Sequence, residues 1–272
     1  MRSQLEKFAP ALLFCPADRP ERYASAASRA DAAIIDLEDA VAPDRKAFAR
    51  ESLRASGLDP QTTIVRINPV NTEHFGLDLR ALSDTGYRTV MLAKVEHAFQ
   101  LDALAGYNVI GICETVLGVE NSRQIAAASN VIGLMWGAED LTASLGGSSS
   151  RGPDGHYREV IRYARARVLF AASAEGKGAI DAVHLDIADT DGLSAEAADA
   201  SAVGFVATAC IHPSQVATVR TAYAPTAEEV RWATALLEEA LGGPAVFRFE
   251  GRMVDEPVLR QARRILEKSA HD

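Results

Sequence analysis

The sequence predicts an α/β fold, a (β/α)8 TIM barrel with a short C-terminal helical extension. Eight short apolar runs recur along the 272 residues, and segments with helical patterns separate them. Most runs end on a charged or metal-capable residue, as expected where the active site of a barrel lies at the carboxyl ends of its strands. The length fits as well, because such a barrel takes roughly 250 residues. No Gly-x-Gly-x-x-Gly turn follows an early strand, which argues against a doubly wound open sheet.

Strands and helices are expected to alternate along the chain. The predicted strands cover residues 11–16, 32–38, 63–68, 89–95, 108–114, 131–138, 179–186 and 207–213. The predicted helices cover residues 21–29, 43–56, 78–86, 98–104, 119–128, 157–176, 195–203 and 214–223. Pro20 and Pro43 stand where the first two helices begin, a position that proline favours. Alternation of this regularity predicts parallel strands joined by right-handed crossovers.

Two parts of the chain lie outside this alternation. Residues 145–155 are rich in glycine and serine and follow Asp140, which is typical of a lid or a flexible rim in a barrel. Beyond the eighth strand we expect a helix over 225–241, an irregular arm over 247–255 and a final helix over 257–268. The predicted division is therefore a catalytic barrel over 1–224 and a helical extension, or oligomerisation arm, over 225–272.

The composition bears on the partners and the compartment. The formal net charge of −9 argues against a nucleic-acid partner, because phosphate backbones require a basic face. No apolar stretch approaches the roughly 20 residues of a membrane span, and the first residues lack the apolar core of a secretory signal. We therefore expect a cytoplasmic protein with no membrane partner. Cys15, Cys113 and Cys210 fall in predicted strands and are expected to be reduced and buried.

Glu114 and Asp140 form the strongest candidate constellation. They follow the fifth and sixth predicted strands, so their carboxylates are expected to lie a few ångströms apart at one end of the barrel. Carboxylate pairs of this kind hold Mg²⁺ while leaving positions for water and substrate. The alternative is that each carboxylate caps the helix that follows it. We favour the metal site, because neither residue has an evident basic partner nearby in sequence.

Arg66 ends the third predicted strand and would point into the mouth of the barrel. A guanidinium there suits a carboxylate or an oxyanion. It could instead, or in addition, form a salt bridge with Asp36 or Glu38 on the neighbouring strand. Those two acids share one face of their strand, and they are expected to orient Arg66, Lys94 or metal-bound waters, or else to be simple rim charges.

Lys94 and His212 each allow two interpretations. Lys94 at a strand end could form a Schiff base with a carbonyl substrate, but an ion pair with Glu96 or Asp36 is favoured. His212 could act as an acid or base, although a core histidine hydrogen-bonded to the backbone is favoured.

Basic residues gather just after the first and second predicted strands, on the same rim. This cluster could bind the anionic part of a small molecule, or it could be a solvated helix surface. Its members are Arg19, Arg22, Arg45, Lys46 and Arg50.

Several motifs resemble a known family, and they follow its order over nearly the whole chain. The matching segments are Phe14-Cys-Pro-Ala-Asp-Arg-Pro-Glu-Arg22, Ile35-Asp-Leu-Glu-Asp-Ala40, Val65-Arg-Ile-Asn68, Glu114-Thr115, Gly137-Ala-Glu-Asp-Leu141, Ile211-His-Pro-Ser-Gln215 and Gly251-Arg-Met-Val-Asp255. They resemble the citrate lyase β-subunit-like enzymes of the HpcH/HpaI aldolase superfamily, and among these the short, stand-alone members.

The resemblance implies a homotrimeric, Mg²⁺-dependent carbon–carbon lyase with the metal on Glu114 and Asp140. Its substrate would be a 3-hydroxyacyl-CoA of the citramalyl, malyl, hydroxymethylglutaryl or citryl type, which yields acetyl-CoA and a keto acid, or the reverse. The catalytic residues would be Arg66, Glu114 and Asp255, with Asp255 supplied by a neighbouring subunit as general base. Substrate contacts would come from Arg66, Glu114, Asp36, Ala138 and Glu139, and coenzyme A contacts from Arg19, Arg45 and Lys46.

Two alternatives are kept. The chain could be the β subunit of a multi-subunit citrate lyase that acts on a carrier-bound citryl thioester. It could also be a non-catalytic protein that binds coenzyme A or a keto acid.

Overall fold

The computed structural model of the chain describes residues 3–270, which form two compact units. The first unit runs up to Val219 and the second starts at Arg220. In the first unit eight parallel strands form a closed barrel in sequence order, and β1 pairs with both β2 and β8. The predicted (β/α)8 barrel is confirmed. The strands are β1 (Ala11–Pro16), β2 (Ala32–Asp36), β3 (Thr63–Ile67), β4 (Thr89–Leu92), β5 (Asn108–Cys113), β6 (Val131–Trp136), β7 (Gly178–Asp181) and β8 (Ala207–Cys210).

Helices connect the strands as the alternation predicts. In chain order they are α1 (Tyr23–Arg29), α2 (Lys46–Arg54), α3 (Glu73–Ser83), α4 (Val116–Glu120), α5 (Ser122–Ala126), α6 (Ala138–Ser144), α7 (Glu159–Ala174), α8 (Thr190–Val203) and α9 (Gln215–Tyr223). Short 3-10 helices occur at Gln4–Phe8, Pro20–Arg22, Pro43–Arg45 and Ala98–Leu104. No helix among residues 3–270 is long and apolar enough to cross a bilayer.

Several predicted boundaries are wrong. The single helix expected over 119–128 is two short helices, α4 and α5, because the chain bends at Asn121 between them. The strand expected over 179–186 ends at Asp181, so Asp186 lies in the following loop and not at a strand end. The sixth strand, expected over 131–138, stops at Trp136, and Ala138 is the first residue of α6, a helix that was not predicted.

The barrel interior is filled with apolar side chains, and every strand contributes to it. The fully or nearly buried members on the strands are Leu12, Ala32, Ile34, Ile64, Met91, Ile110, Ile112, Ile132, Met135, Ile180, Ala207 and Ala209. Leu5 and Phe8 of the first 3-10 helix join this cluster. Because successive strand residues point to opposite faces, positions two residues beyond Ile34, Ile64 and Ile112 face the same interior, nearer the carboxyl ends of the strands.

The second unit has a small core of its own. The helix α10 (Ala227–Glu239), the antiparallel strands β9 (Phe247–Phe249) and β10 (Arg252–Val254), and the helix α11 (Glu256–Ser269) bury side chains against one another. The irregular arm expected over 247–255 is therefore a hairpin. Its turn is at Glu250 and Gly251, which both have positive φ angles. The sequence did not predict these two strands, because three residues are too few to show an alternating apolar pattern.

Candidate active site

A cavity of about 250 Å³ lies at the carboxyl ends of the strands. Its lining includes Phe14, Asp36, Arg66, Glu114 and residues 136–140. Asp36, Arg66 and Glu114 occupy the inward-facing positions beyond Ile34, Ile64 and Ile112, so the strand periodicity itself brings them together. A larger groove of about 590 Å³ lies between α1 and α2, but none of the candidate catalytic residues lines it.

Arg66 is held in a fixed orientation by acids on β2 and just beyond it. Its Nε and Nη2 donate to the two carboxylate oxygens of Asp36, each at 2.6 Å, and its Nη1 lies 3.1 Å from Glu38 Oε2. The guanidinium also lies 4.7 Å from the centre of the Phe14 ring. Two of its five N–H donors are used by Asp36, so the terminal nitrogens retain donors for a ligand in the cavity.

Asp36 is fully buried, and its oxygens are already engaged. Besides Arg66, they accept hydrogen bonds from the backbone N–H groups of Glu38 at 2.9 Å and Ala40 at 3.1 Å. Asp36 therefore lies in the cavity wall, and its oxygens are turned toward Arg66 and the backbone. The predicted salt bridge between Arg66 and these acids is confirmed.

Glu114 is buried beside Gly137, which leaves room for its carboxylate. A Cβ on Gly137 would come within 2.7 Å of Glu114 Oε2. The other oxygen, Oε1, accepts the backbone N–H of Lys94 at 3.1 Å. Burial raises the pKa of Glu114 to about 8, and the charge of Asp140 acts in the same direction, while Lys94 opposes it. A metal cation would offset this penalty on ionisation.

Lys94 contacts two acids that follow β2, one that follows β5 and one in α6. Its ammonium lies 2.5 Å from Glu38 Oε1, 3.1 Å from Asp39 Oδ2 and 3.3 Å from Asp140 Oδ1. These partners differ from Asp36 and Glu96, which the sequence suggested. Burial lowers the pKa of Lys94, but the hydrogen bond to Glu38 and the charge of Glu114 raise it above its ordinary value. A protonated amine is a poor nucleophile, which argues against a Schiff base.

The donor set fits a magnesium ion on Glu114 and Asp140. Both offer hard carboxylate oxygens, and Asp140 is partly exposed to the cavity. In the part of the chain that the structure describes, no three His, Cys, Asp or Glu side chains group together as metal ligands. Two carboxylates with the remaining positions left to water and substrate is the usual arrangement for Mg²⁺.

The basic cluster on the rim is smaller than predicted. Lys46 is 6% exposed, and its ammonium donates to the carbonyls of Leu37 and Glu38 and to Asn68 Oδ1, each at 2.8 Å. The assignment of Lys46 to coenzyme A is therefore not retained, because its charge is turned inward between β2 and β3. Arg50 is likewise buried against Asp78, at 3.1 Å.

Arg19 and Arg45 remain at the rim and share one buried acid. Arg45 Nε lies 3.5 Å from Asp18 and Arg19 Nε lies 3.9 Å from it, while about half of each arginine side chain is exposed. Asp18 thus contacts two partly exposed cations at the rim.

The C-terminal half of the glycine- and serine-rich loop makes side-chain contacts with neighbouring elements. Ser150 is buried and donates to Glu139 Oε1 at 2.6 Å. Arg151 pairs with Glu196 of α8 at 2.5 Å, and its guanidinium stacks 3.9 Å from the ring centre of Tyr157. Glu139 and Ala138 line the cavity.

Sequence reasoning missed a support beneath the sixth strand end. Trp136 Nε1 donates to the buried carboxylate of Asp181 at 2.6 Å, and Arg165 donates to both oxygens of that carboxylate. This anchors the strand end directly before Gly137. In the sequence, this support could have been inferred only from Asp181 at the end of the seventh strand and Arg165 in the preceding helix.

Two candidate residues, and Asp186 at the end of the predicted seventh strand, do not join this group. Asp186 is exposed in a loop, where it accepts the backbone N–H of Ala188. His212 is also exposed rather than in the core, and its Nδ1 contacts Ser214. Asp255 belongs to the second unit, at the N-cap position of α11, and its side chain accepts no capping hydrogen bond there.

Comparison with known proteins relates the chain to one family. The model of the HpcH/HpaI aldolase/citrate lyase family matches residues 11–213. A citrate lyase subunit beta-like protein of Mycobacterium tuberculosis is 53% identical over 260 residues, which are 96% of this chain and 95% of that protein. A mitochondrial citramalyl-CoA lyase of Rattus norvegicus is 30% identical, over 96% of this chain and 86% of that protein.

A solved structure also matches closely. The protein CitE from Mycobacterium tuberculosis, in complex with magnesium, acetoacetate and coenzyme A, superposes with a TM-score of 0.95 at 52% identity. The match covers 98% of this chain and all of the other.

Proposed function

The chain belongs to the HpcH/HpaI aldolase/citrate lyase family, and from that premise we propose that it is a Mg²⁺-dependent carbon–carbon lyase. Its substrate would be a 3-hydroxyacyl-CoA of the citramalyl, malyl, hydroxymethylglutaryl or citryl type. The products would be acetyl-CoA and a keto acid, or the reaction would run in reverse. The observation that carries the proposal is Arg66 facing Glu114 and Asp140 across one cavity. The relative in complex with magnesium, acetoacetate and coenzyme A supports the ligand classes.

The proposed cleavage begins when a base removes the proton of the 3-hydroxyl group. The bond between C2 and C3 then breaks, C3 becomes the carbonyl carbon of the keto acid, and the electron pair forms the enolate of the thioester. Protonation of that enolate gives acetyl-CoA. Mg²⁺, held by Glu114 and Asp140, would supply a Lewis acid for the oxygens of the keto acid.

Arg66 would stabilise the negative charge that develops on oxygen during this reaction. Its contacts with Asp36, Glu38 and Phe14 fix the guanidinium before substrate arrives, so little reorganisation is needed. Loss of one preorganised donor of this kind typically raises a barrier by about 2.7–4 kcal/mol. Ala138 and Glu139 would form the wall against the acyl group.

Asp255 is proposed as the general base. Among the acids that line the barrel cavity, Asp36 is engaged by Arg66, Glu139 accepts a hydrogen bond from Ser150, and Glu114 and Asp140 are assigned to the metal. Asp255, in contrast, accepts no capping hydrogen bond from its helix. We infer that a neighbouring subunit supplies it in a homotrimer, with residues 225–272 as the oligomerisation arm. The family resemblance supports this arrangement.

Arg19 and Arg45 are proposed to bind the anionic end of coenzyme A. They lie after β1 and β2, at the carboxyl ends of the strands, and Asp18 holds them together. We further propose that the enzyme acts on free CoA thioesters in the cytoplasm.

The test is an assay of the purified chain with a panel of CoA thioesters, with Mg²⁺ or after chelation. We expect cleavage of at least one 3-hydroxyacyl-CoA that disappears on chelation and returns with Mg²⁺. Activity only on a carrier-bound citryl thioester would favour the multi-subunit citrate lyase. Binding without turnover would favour a non-catalytic role. Full activity after chelation, or a borohydride-trapped adduct on Lys94, would contradict the metal mechanism.

A further inference from the structure

Lys94 has a backbone conformation that its side-chain type disfavours. Its φ angle is 51°, in the left-handed region where a residue other than glycine is uncommon and costs free energy. Such conformations persist where surrounding contacts fix them, and they concentrate at functional sites. At Lys94 these contacts are with four acidic residues, Glu38, Asp39, Glu114 and Asp140.

This conformation lets one residue reach both proposed metal ligands. The backbone N–H of Lys94 donates to Glu114 Oε1 at 3.1 Å, and its ammonium lies 3.3 Å from Asp140 Oδ1. The same ammonium also contacts Glu38 and Asp39. The backbone therefore positions Glu114, while the side chain provides the charge that faces Asp140.

The second cationic side chain of the site, Arg66, is not an ion-pair partner of Asp140. Arg66 contacts Asp36 and Glu38, and the ion pair observed for Asp140 among the described residues is with Lys94. An ammonium at Asp140 and a divalent cation shared by Asp140 and Glu114 would seek the same carboxylate oxygens and would repel each other at short range.

We propose that Lys94 is an internal cation that competes with Mg²⁺ for Asp140 and thereby weakens the metal affinity of the site. Without metal, the ammonium offsets the charge of the acidic cluster and keeps Asp140 in place. With metal, it withdraws to Glu38 and Asp39, which already bind it. Lys94 is in this sense a positioning residue, and the consequence is a metal that exchanges readily. The inference rests on the proposed assignment of Mg²⁺ to Glu114 and Asp140.

Calorimetric titration of the metal-free full-length chain with Mg²⁺ tests the inference. Lys94→Met removes the ammonium and keeps the aliphatic stem. Lys94→Gly removes the side chain but suits the left-handed backbone and keeps the N–H that binds Glu114. We expect both variants to bind Mg²⁺ at least about tenfold more tightly than the wild type, because the competing charge is gone.

Two matched variants separate the local effect from a general charge effect. Lys94→Arg keeps a cation at the position and should bind Mg²⁺ within about threefold of the wild type. Arg54→Met removes one positive charge that pairs with Asp84 at the surface, and it should leave the affinity unchanged.

If the wild type binds Mg²⁺ but folded Lys94→Met and Lys94→Gly bind it equally or more weakly, the competition by Lys94 is wrong while the metal site stands. Weaker Mg²⁺ binding is what a purely structural role of Lys94 predicts. If the wild type binds no Mg²⁺ and Glu114→Gln behaves identically, the proposed metal site itself is wrong. Circular dichroism of each variant establishes that it is folded, and Lys94→Gly provides the measurement if Lys94→Met does not fold.

Discussion

Glu114 is a carboxylate whose surroundings oppose its ionisation. Burial and the charge of Asp140 raise its pKa to about 8, above the ordinary 4.5. The proton therefore binds the folded, metal-free protein more tightly than the unfolded chain. The resulting stabilisation is complete below about pH 4.5 and is lost as the pH rises through about 8. Mg²⁺ should compete with this proton.

We therefore expect chelated wild-type protein to lose stability relative to Glu114→Gln as the pH rises, by at most about 1.4 kcal/mol per pH unit. Urea unfolding of both proteins between about pH 5 and pH 9 measures the difference. Parallel stability curves would contradict the raised pKa. Repeating the titration with saturating Mg²⁺ is the control, since the metal should abolish the difference between low and high pH.

Arg66 depends on the shape of its guanidinium as well as its charge. Lysine in its place keeps the charge but cannot donate to both oxygens of Asp36 while facing a substrate oxygen. For Arg66→Lys we expect kcat and kcat/KM to fall together by about 100- to 1000-fold, as for the loss of an oxyanion donor. Steady-state kinetics measures this, and Mg²⁺ affinity should be retained. A raised KM at unchanged kcat would make Arg66 a ground-state clamp.

At the level of single residues, position along the chain predicted the charged residues at the strand ends better than the basic residues of the rim. Arg66, Glu114 and Asp36 occupy inward positions of strands, and a period of two fixes their direction. Arg45 and Lys46 are adjacent at the start of α2, and one points to solvent while the other is buried. That difference depends on how the helix packs on β2 and β3, which no local pattern specifies.

Among the elements, the first 3-10 helix closes the barrel interior opposite the site. Leu5 is fully buried, and a Cβ on Gly133 of β6 would meet Leu5 Cδ2 at 2.6 Å and the carbonyl oxygen of Gly178 at 2.9 Å. We expect Gly133→Ala to destabilise the protein by about 1–3 kcal/mol through overpacking. The free energy of unfolding in urea measures this cost. Gly57→Ala is the control, because nothing lies within 4 Å of a Cβ there.

A double-mutant cycle tests the cause. Leu5→Ala alone should cost about 2–5 kcal/mol through the cavity it leaves. Combined with Gly133→Ala, the total should be less than the sum, because the smaller side chain relieves part of the clash. Strict additivity would show that Leu5 is not what excludes a side chain at Gly133.

The elements that the sequence predicted well are those with long, regular patterns. All eight strands were located, and most crossover helices lie within a few residues of their predicted ends. The errors fall where tertiary contacts override local preference. The seventh strand ends at Asp181, which is buried by Trp136 and Arg165, although apolar residues continue beyond it. The seven-residue helix α6 begins one residue after β6, so Gly137 alone separates the two.

At the scale of the whole molecule, the proposed mechanism takes its residues from both units of the chain. Arg66, Glu114 and Asp140 belong to the barrel, and Asp255 belongs to the second unit. A hairpin and two helices with their own core give that unit a defined structure. If the base comes from a neighbouring subunit, neither a Glu114 variant nor an Asp255 variant would be active alone, but the two could complement each other.

We expect Glu114→Gln and Asp255→Asn each to be nearly inactive, and equal mixtures refolded together to regain roughly a quarter of wild-type activity. In a symmetric oligomer that assembles at random, half of the barrels carry an intact Glu114 and half of the neighbours supply an intact Asp255. Activity assays of the unfractionated mixture measure the recovery, and a tag on one variant verifies that mixed oligomers have formed. Glu114→Gln mixed with Asp140→Asn is the matched control. It should stay inactive, because Lys94 contacts both carboxylates within one barrel, and every mixed site would lack one metal ligand. No recovery in verified mixed oligomers of the first pair would mean that Asp255 acts within its own chain or takes no part in the reaction.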